Sequence, residues 1–391
     1  MKALMFVCDG IADRPLRELK GKTPLEVAKK QNMDALARRG ITGILDPIAP
    51  GIRVGSDTTH LALLGYNPYE VYTGRGPLEA AGVGLKLRQG DIAFRCNFAT
   101  VDENLVVLDR RAGRISKGTD KLARAINKIK IPGAEIIFKE SVAYRGVLIL
   151  RGKKLSHKVS DSDPHIAGEK VRKVKALNAS PEARRTASII NAFSEEVHKV
   201  LREQKEGNAN MLLLRGCGAA PKLKSFREKY GISGACMATT GIIKGIARLA
   251  GMEVVEAKTS YDLRIKQGLK ILKNYDFLLI NIKEPDEASH DHDARRKIQL
   301  IEEIDRALKP LLQFSKENYA LLLSDHTTSL SYGDHTGDSV PVVLCGPEVR
   351  TDDVKKFDER STAKGGLGRI RGQDLMPLLL DLMNKSEKFG A

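Results

Sequence analysis

Short, unbroken apolar runs that stop at acidic or glycine residues constrain this chain more than any other feature. Residues 3–8, ALMFVC, end at Asp9-Gly10. DFLLINI (276–282), YALLLS (319–324) and VPVVLCG (340–346) repeat the pattern near the C-terminus. A strand that is apolar on both faces is buried on both faces, as in a parallel sheet. Helical patterns lie between the runs. TPLEVAKKQNMDALARRG (23–40) closes on a glycine, and DARRKIQLIEEIDRALKPLLQF (293–314) ends near Pro310 or just beyond it. This alternation predicts an α/β fold with a mostly parallel sheet sandwiched by helices.

From about 90 to 155 the texture changes. AFRCNFATV, LVVLD, EIIFK and VLILRG are short, strand-like and turn-separated, with one helical pattern at 124–129. They predict a smaller α+β domain inserted into the first. SPEARRTASIINAFSEEVHKVLRE (180–203) then reads as an amphipathic helix capped by Ser180, with Pro181 in its first turn. The expected boundaries are 1–70 with 225–391 for a discontinuous catalytic domain, and 71–224 for the insertion.

Composition narrows the function classes. The charge is +16, which suits anionic partners. The basic residues are nevertheless spread along the chain, and aromatics make up only 5% with no Trp, so base-stacking surfaces are not expected. Nucleic acid is therefore disfavoured, and a small phosphorylated substrate is expected instead. The five cysteines include no C-x-x-C pair, against a disulfide framework and a thiolate zinc site. No apolar run approaches the roughly 20 residues of a membrane span. The N-terminal apolar stretch is too short for a signal peptide, so no membrane partner and a cytoplasmic location are expected. Abundant Lys, Arg and Glu fit a thermophilic source.

Polar residues fall at the ends of the predicted strands, where ligands collect in a parallel sheet. Asp9 follows the first strand, Asp286 and His290 follow 276–282, and Asp325 and His326 follow 319–324, with His335 nine residues on. Four of the eight histidines lie after residue 285. Each element has a plainer reading, as a turn cap or a solvated i,i+4 pair. Together, in this order, they point to a site for Mn²⁺, Zn²⁺ or Mg²⁺. Ser56, preceded by Gly55 and opening an apolar helical run, is the candidate nucleophile; such a helix start favours phosphate. Asp57 is the candidate cap, and Thr58, Thr59 and His60 read as supporting residues.

These residues resemble the alkaline phosphatase superfamily. Within it, MFVCDGIADRP, VGSDTTHLALLGYNP, YTGRGPLEAAG, SDSDPH, NIKEPDEASHDHD and SDHTTSLSYGDHTGDSVPV are similar to the archaeal-type cofactor-independent phosphoglycerate mutases. The resemblance covers essentially the whole chain. It implies an alkaline phosphatase-like core and one metal ion held by Asp286, His290 and His335. A second would be held by Asp9, Asp325, His326 and the Ser56 oxygen. His292 competes with His290, but the i,i+4 spacing from Asp286 selects His290. The resemblance further implies exchange of phosphate between the 2- and 3-positions of glycerate through a phosphoserine, without 2,3-bisphosphoglycerate. The insertion would be a substrate-binding lid. Arg75 and Arg215 are its best phosphate or carboxylate ligands, with Lys258 and Arg264 next on the catalytic side. Asp161, Asp163 and His165 of SDSDPH would orient glycerate hydroxyls or act as acid–base groups, while Arg184 and Arg185 read as a solvated helix face. Where the longer bacterial branch has Glu after its serine, this chain has Asp57.

Two other readings compete. The same site could let water attack the phosphoserine, giving a phosphatase, or act on another phosphate ester. A binding protein for an anionic partner such as RNA would not need the ordered serine and ligand set.

Overall fold

The computed structural model describes residues 1–388 and 390. The chain divides into two compact units, Met1–Val71 with Leu223–Ala391, and Tyr72–Lys222.

An eight-stranded sheet organises the first unit. Its order is Gly368–Arg371, Ile41–Asp46, Val340–Cys345, Tyr319–Leu323, Ala3–Cys8, Phe277–Ile282, Gly234–Ala238 and Glu253–Glu256. The last five of these are mutually parallel, and Val340–Cys345 runs antiparallel to both neighbours. Ala3–Cys8 lies in the middle and is fully buried, which is why it is apolar at every position. Side chains from it and from Phe277–Ile282 pack with Leu36, Ile301, Ile304 and Leu311 of the covering helices. Parallel register sets Cys8 opposite Ile282, so the two central strands end at one level.

Two helices are broken where periodicity alone predicts continuity. The 23–40 segment forms Pro24–Val27, closed into a capping box by Thr23 and Glu26, and then Gln31–Arg39. The second piece starts where Asp305 accepts from the backbone N–H groups of Asn32 and Met33, a cap supplied from another helix. The 293–314 segment forms Ala294–Ala307 and Lys309–Phe314, with Pro310 in the first turn of the latter, where its missing N–H costs nothing.

The second unit is an antiparallel sheet backed by helices. Ile92–Val101 pairs with Val107–Asp109, Arg145–Arg151 and Met211–Ala219, and Glu135–Glu140 pairs with Arg145–Arg151. Its core joins Phe94, Phe98, Leu148 and Leu214 to Ile190, Phe193 and Val197 of the helix Pro181–Gln204. Ser180 Oγ accepts from Ala183 N at that helix start. A shorter helix, Thr119–Ile126, is displaced from the expected 124–129; Gly118 at φ 75° opens it. Among the described residues no helix is long and apolar enough to cross a membrane.

Candidate active site

The carboxyl ends of the central strands gather two sets of side chains. Asp9 N donates to Ile282 O across the parallel pair, which brings Asp9 level with the helix Glu284–His290. On that helix Asp286 and His290 share a face, with His290 Nε2 at 3.3 Å from Asp286 Oδ2. A short hairpin, Thr327–Ser329 with Asp334–Thr336, returns His335 to the same carboxylate, Nε2 at 3.4 Å from Asp286 Oδ1. Asp9, Asp325 and His326 form the second set, all three fully buried. Within each set the ligand atoms lie within 4.8 Å of one another.

The imidazoles are oriented from behind. His290 Nδ1 donates to Gly333 O at 2.7 Å and His335 Nδ1 to Val54 O at 2.7 Å, so in each ring Nε2 is the atom turned toward the Asp286 carboxylate. The backbone approaches closely here. Gly10 has φ +59°, and a Cβ on it would sit 2.8 Å from Asp286 Oδ1, so only glycine fits.

Ser56 is the first residue of the helix Ser56–Leu63, whose N-cap is Gly55 in extended conformation. Its Oγ lies 3.1 Å from His326 Nε2 and 3.5 Å from Asp9 Oδ2. Asp57 is not the cap; its Oδ1 accepts from Thr58 N. His60 has a defined supporting task. Nδ1 donates to Ser56 O at 2.8 Å, and Nε2 faces Asn281 Nδ2 at 3.4 Å, which in turn reaches Asp9 Oδ2 at 3.4 Å.

The electrostatics are those of a site short of positive charge. Burial pushes the Asp325 carboxyl up, and Asp9 pushes it further. Asp325 Oδ2 finds no hydrogen-bond partner among the described residues although it is buried. Burial raises Asp286 too, but hydrogen bonds with His290 and His335 and the Lys283 ammonium hold it well below the usual carboxylate range. An orphaned buried carboxylate oxygen beside imidazole Nε2 atoms is a donor set that fits a divalent cation.

The second unit carries a separate charged cluster. Arg95 and Arg215 are paired across neighbouring strands, Arg145 opens the strand beside them, and Arg75 begins the helix Arg75–Gly82. Arg110 grips Asp163 with two bonds of 3.1 and 2.7 Å. Asp161 accepts from Gly216 N and pairs with His165 Nε2 at 3.1 Å, so SDSDPH braces the strand around Arg215. Burial, then Arg75, Arg215 and Arg145, lower Arg95 to about 9 despite Glu79. The Nε atoms of Arg95 and Arg215 are buried and have no hydrogen-bond partner among the described residues, although Arg215 Nε lies 3.9 Å from Asp163 Oδ2. Arg95, Arg110 and Arg145 escape the sequence reading. The available signal is a charged residue inside an apolar strand, as in AFRCNF.

Lys258 and Arg264, expected on the catalytic side, lie in the first unit. Arg264 is buried and donates to Glu284 at 2.9 Å and to Lys258 O at 2.6 Å, so its charge is already matched. Lys258 is exposed and contributes only its carbonyl to that network. Arg184 and Arg185 are exposed on their helix. His292 donates to Leu330 O and is not part of either ligand set.

The α/β sheet presents a serine and two carboxylate–imidazole sets at its strand ends, a donor set that suits divalent cations beside a nucleophile. A family model described as 2,3-bisphosphoglycerate-independent phosphoglycerate mutase matches residues 37–206. The chain is 52% identical to 2,3-bisphosphoglycerate-independent phosphoglycerate mutase 1 of Methanothermobacter thermautotrophicus, over 100% of both chains. It is 49% identical to the Methanocaldococcus jannaschii protein of the same name, over 100% of this chain and 99% of that one. Among solved structures, cofactor-independent phosphoglycerate mutase from Thermoplasma acidophilum is 36% identical with a TM-score of 0.73, covering 98% of this chain and 100% of that one. A Pyrococcus horikoshii protein, also 36% identical, reaches a TM-score of 0.85 over 100% of this chain and 99% of that one. The chain belongs to the 2,3-bisphosphoglycerate-independent phosphoglycerate mutase family.

Proposed function

We propose that this enzyme interconverts 3-phosphoglycerate and 2-phosphoglycerate, a step of glycolysis and gluconeogenesis, through a phosphoserine at Ser56. The observation that carries the reading is Ser56 Oγ, at a helix start, 3.1 Å from His326 Nε2 and 3.5 Å from Asp9 Oδ2 of one ligand set. Asp286, His290 and His335 would hold one divalent ion; Asp9, Asp325, His326 and Ser56 Oγ would hold a second. Such ions, Mn²⁺, Zn²⁺ or Mg²⁺, neutralise buried carboxylates and stabilise negative charge on a transferring phosphoryl group. No 2,3-bisphosphoglycerate is needed, because the serine carries the phosphoryl group between the two hydroxyls.

Ser56 Oγ forms the new P–O bond as the bond to the C3 oxygen breaks, and the proton that the serine hydroxyl gives up ends on that oxygen of the bound glycerate. The positive end of the Ser56–Leu63 helix dipole favours the phosphoryl oxygens. Glycerate then presents its 2-hydroxyl, whose oxygen takes the phosphoryl group as the Ser56 Oγ–P bond breaks, and its proton returns to Ser56 Oγ. A mutase must hold glycerate between the two transfers. The arginine cluster of 72–222, with Nε atoms that lack a hydrogen-bond partner among the described residues, suits a carboxylate held bidentately. That unit is therefore read as the substrate-binding, lid-forming one. The substrates are soluble metabolites of the cytoplasm, and the enzyme is placed there with them.

The deciding assay gives chelator-treated protein 3-phosphoglycerate, with enolase reporting 2-phosphoglycerate, before and after Mn²⁺ is restored. Metal-dependent enolase signal is expected. Release of inorganic phosphate with no enolase signal would replace the mutase with a phosphatase.

A further inference from the structure

Two buried or half-buried lysines stand near the ligand sets, and they are built differently. Lys297 is fully buried, and its ammonium donates to Ala12 O, Asp13 Oδ2 and Thr328 O at 3.2, 2.8 and 3.1 Å. Its three donors are matched by three acceptors, so it is a fixed strut. Lys283 contacts only ligand carboxylates. Its Nζ donates to Asp286 Oδ2 and to Asp9 Oδ1, the latter at 3.2 Å, and its side chain is 20% exposed.

The position follows from the fold. Lys283 is the first residue after Phe277–Ile282 and the N-cap of Glu284–His290. Cys8 pairs with Ile282 in register, so Asp9 and Lys283 leave neighbouring strands side by side. Asp286 is three residues further on, within reach over the first helical turn. Lys283 therefore bridges one carboxylate from each ligand set.

Asp9, Asp286 and Asp325 are all fully buried. Like charges so placed repel strongly, because little water screens them. An ammonium on a flexible four-carbon stem can neutralise them and still swing to solvent, which a buried, forked Arg264 cannot.

We propose that Lys283 is a resident counter-cation of the metal site: it holds the ligand carboxylates together before metal binds and must be displaced when metal enters. It thereby sets both the stability of the metal-stripped enzyme and the affinity for metal. The proposal rests on the ligand assignment given above.

The test compares wild type, Lys283→Met and Lys283→Arg by Mn²⁺ titration against a competing chelator, and by thermal unfolding of stripped and Mn²⁺-saturated protein. Lys283→Met should bind Mn²⁺ at least about tenfold more tightly, because no ammonium competes. Its stripped form should melt at least about 2–4 °C lower, while the loaded form melts near wild type. A Lys283→Met protein that folds only with Mn²⁺ is the extreme of the same result. Lys283→Arg keeps the charge and should leave the stripped form near wild type. Unchanged or weaker Mn²⁺ binding by Lys283→Met would overturn the proposal. Equal losses of melting temperature in both forms would do so too, since a merely structural lysine behaves that way. Failure of wild type itself to bind Mn²⁺ would instead overturn the ligand assignment.

Discussion

Lys297 Nζ lies 2.8 Å from Asp13 Oδ2 with both side chains fully shielded from solvent. Asp13 also accepts from Leu330 N, and Lys297 from its side holds Ala12 O and Thr328 O. The pair thus ties the loop after the first strand, which carries Asp9, to the segment that follows Asp325 and His326. Removing one member strands a buried charge, which costs about 3–5 kcal/mol. Lys297→Met should lose stability of that order in urea unfolding, and Lys297→Met with Asp13→Asn should recover part of it. A double variant no better than the single one would show that the pair is not the source of the loss.

Ser56→Ala removes the oxygen to which the phosphoryl group is assigned. Turnover of 3-phosphoglycerate should fall by roughly 10⁴-fold or more, while the fold is kept because Ala is well tolerated at a helix start. Intact-mass measurement should find a phosphorylated species after brief exposure of wild type to substrate, and none in the variant. Residual activity within about tenfold of wild type would exclude the phosphoserine route.

The parts of this architecture that are legible in the sequence are those encoded locally. An apolar run such as ALMFVC announces a doubly buried strand, and i,i+4 spacing places Asp286 and His290 on one helix face. What is not legible depends on partners distant in the chain. The break at Ala28–Lys30 follows from Asp305 capping Asn32 and Met33, which no window around residue 28 contains. Arg95 meets Arg215, and Asn97 meets Arg145, only through antiparallel register. Lys283 reaches Asp9 only because two strands far apart in sequence run side by side.

Asn281 links His60 to Asp9 and so fixes the start of the Ser56 helix relative to the ligand carboxylate. Residues that orient ligands in this way are worth about 10–100-fold in activity or metal affinity. Asn281→Leu should lower kcat by about that factor with little change in KM. Loss confined to KM would contradict the assigned role.

Glu359 accepts from Thr23 Oγ1 and Asp13 N, yet burial pushes its carboxyl up to about 7 from an ordinary 4.5. Between those two values the folded state holds the extra proton, so stability falls as pH rises through the window and levels off above it. The ceiling is about 3 kcal/mol. Glu359→Gln should flatten this part of the profile and melt higher than wild type at pH 8. Melting temperatures from pH 4 to 8 with identical slopes in the two proteins would assign the dependence to other groups.

Arg95 stands among Arg75, Arg145 and Arg215, with Glu79 and Asp163 the only carboxylates among the cluster's described ion pairs. Its lowered pKa of about 9 means that folding works against its charge. Arg95→Met keeps most of the packed stem and removes that charge, so it should raise stability by about 1–3 kcal/mol. The same change removes a cation from the cluster proposed to hold the substrate carboxylate, and on that reading KM for 3-phosphoglycerate should rise about 10–100-fold. Calorimetry and the enolase-coupled assay read the two effects separately. A variant that is destabilised with unchanged KM would make Arg95 a structural residue; gain in stability with loss of affinity marks a charge retained for its ligand.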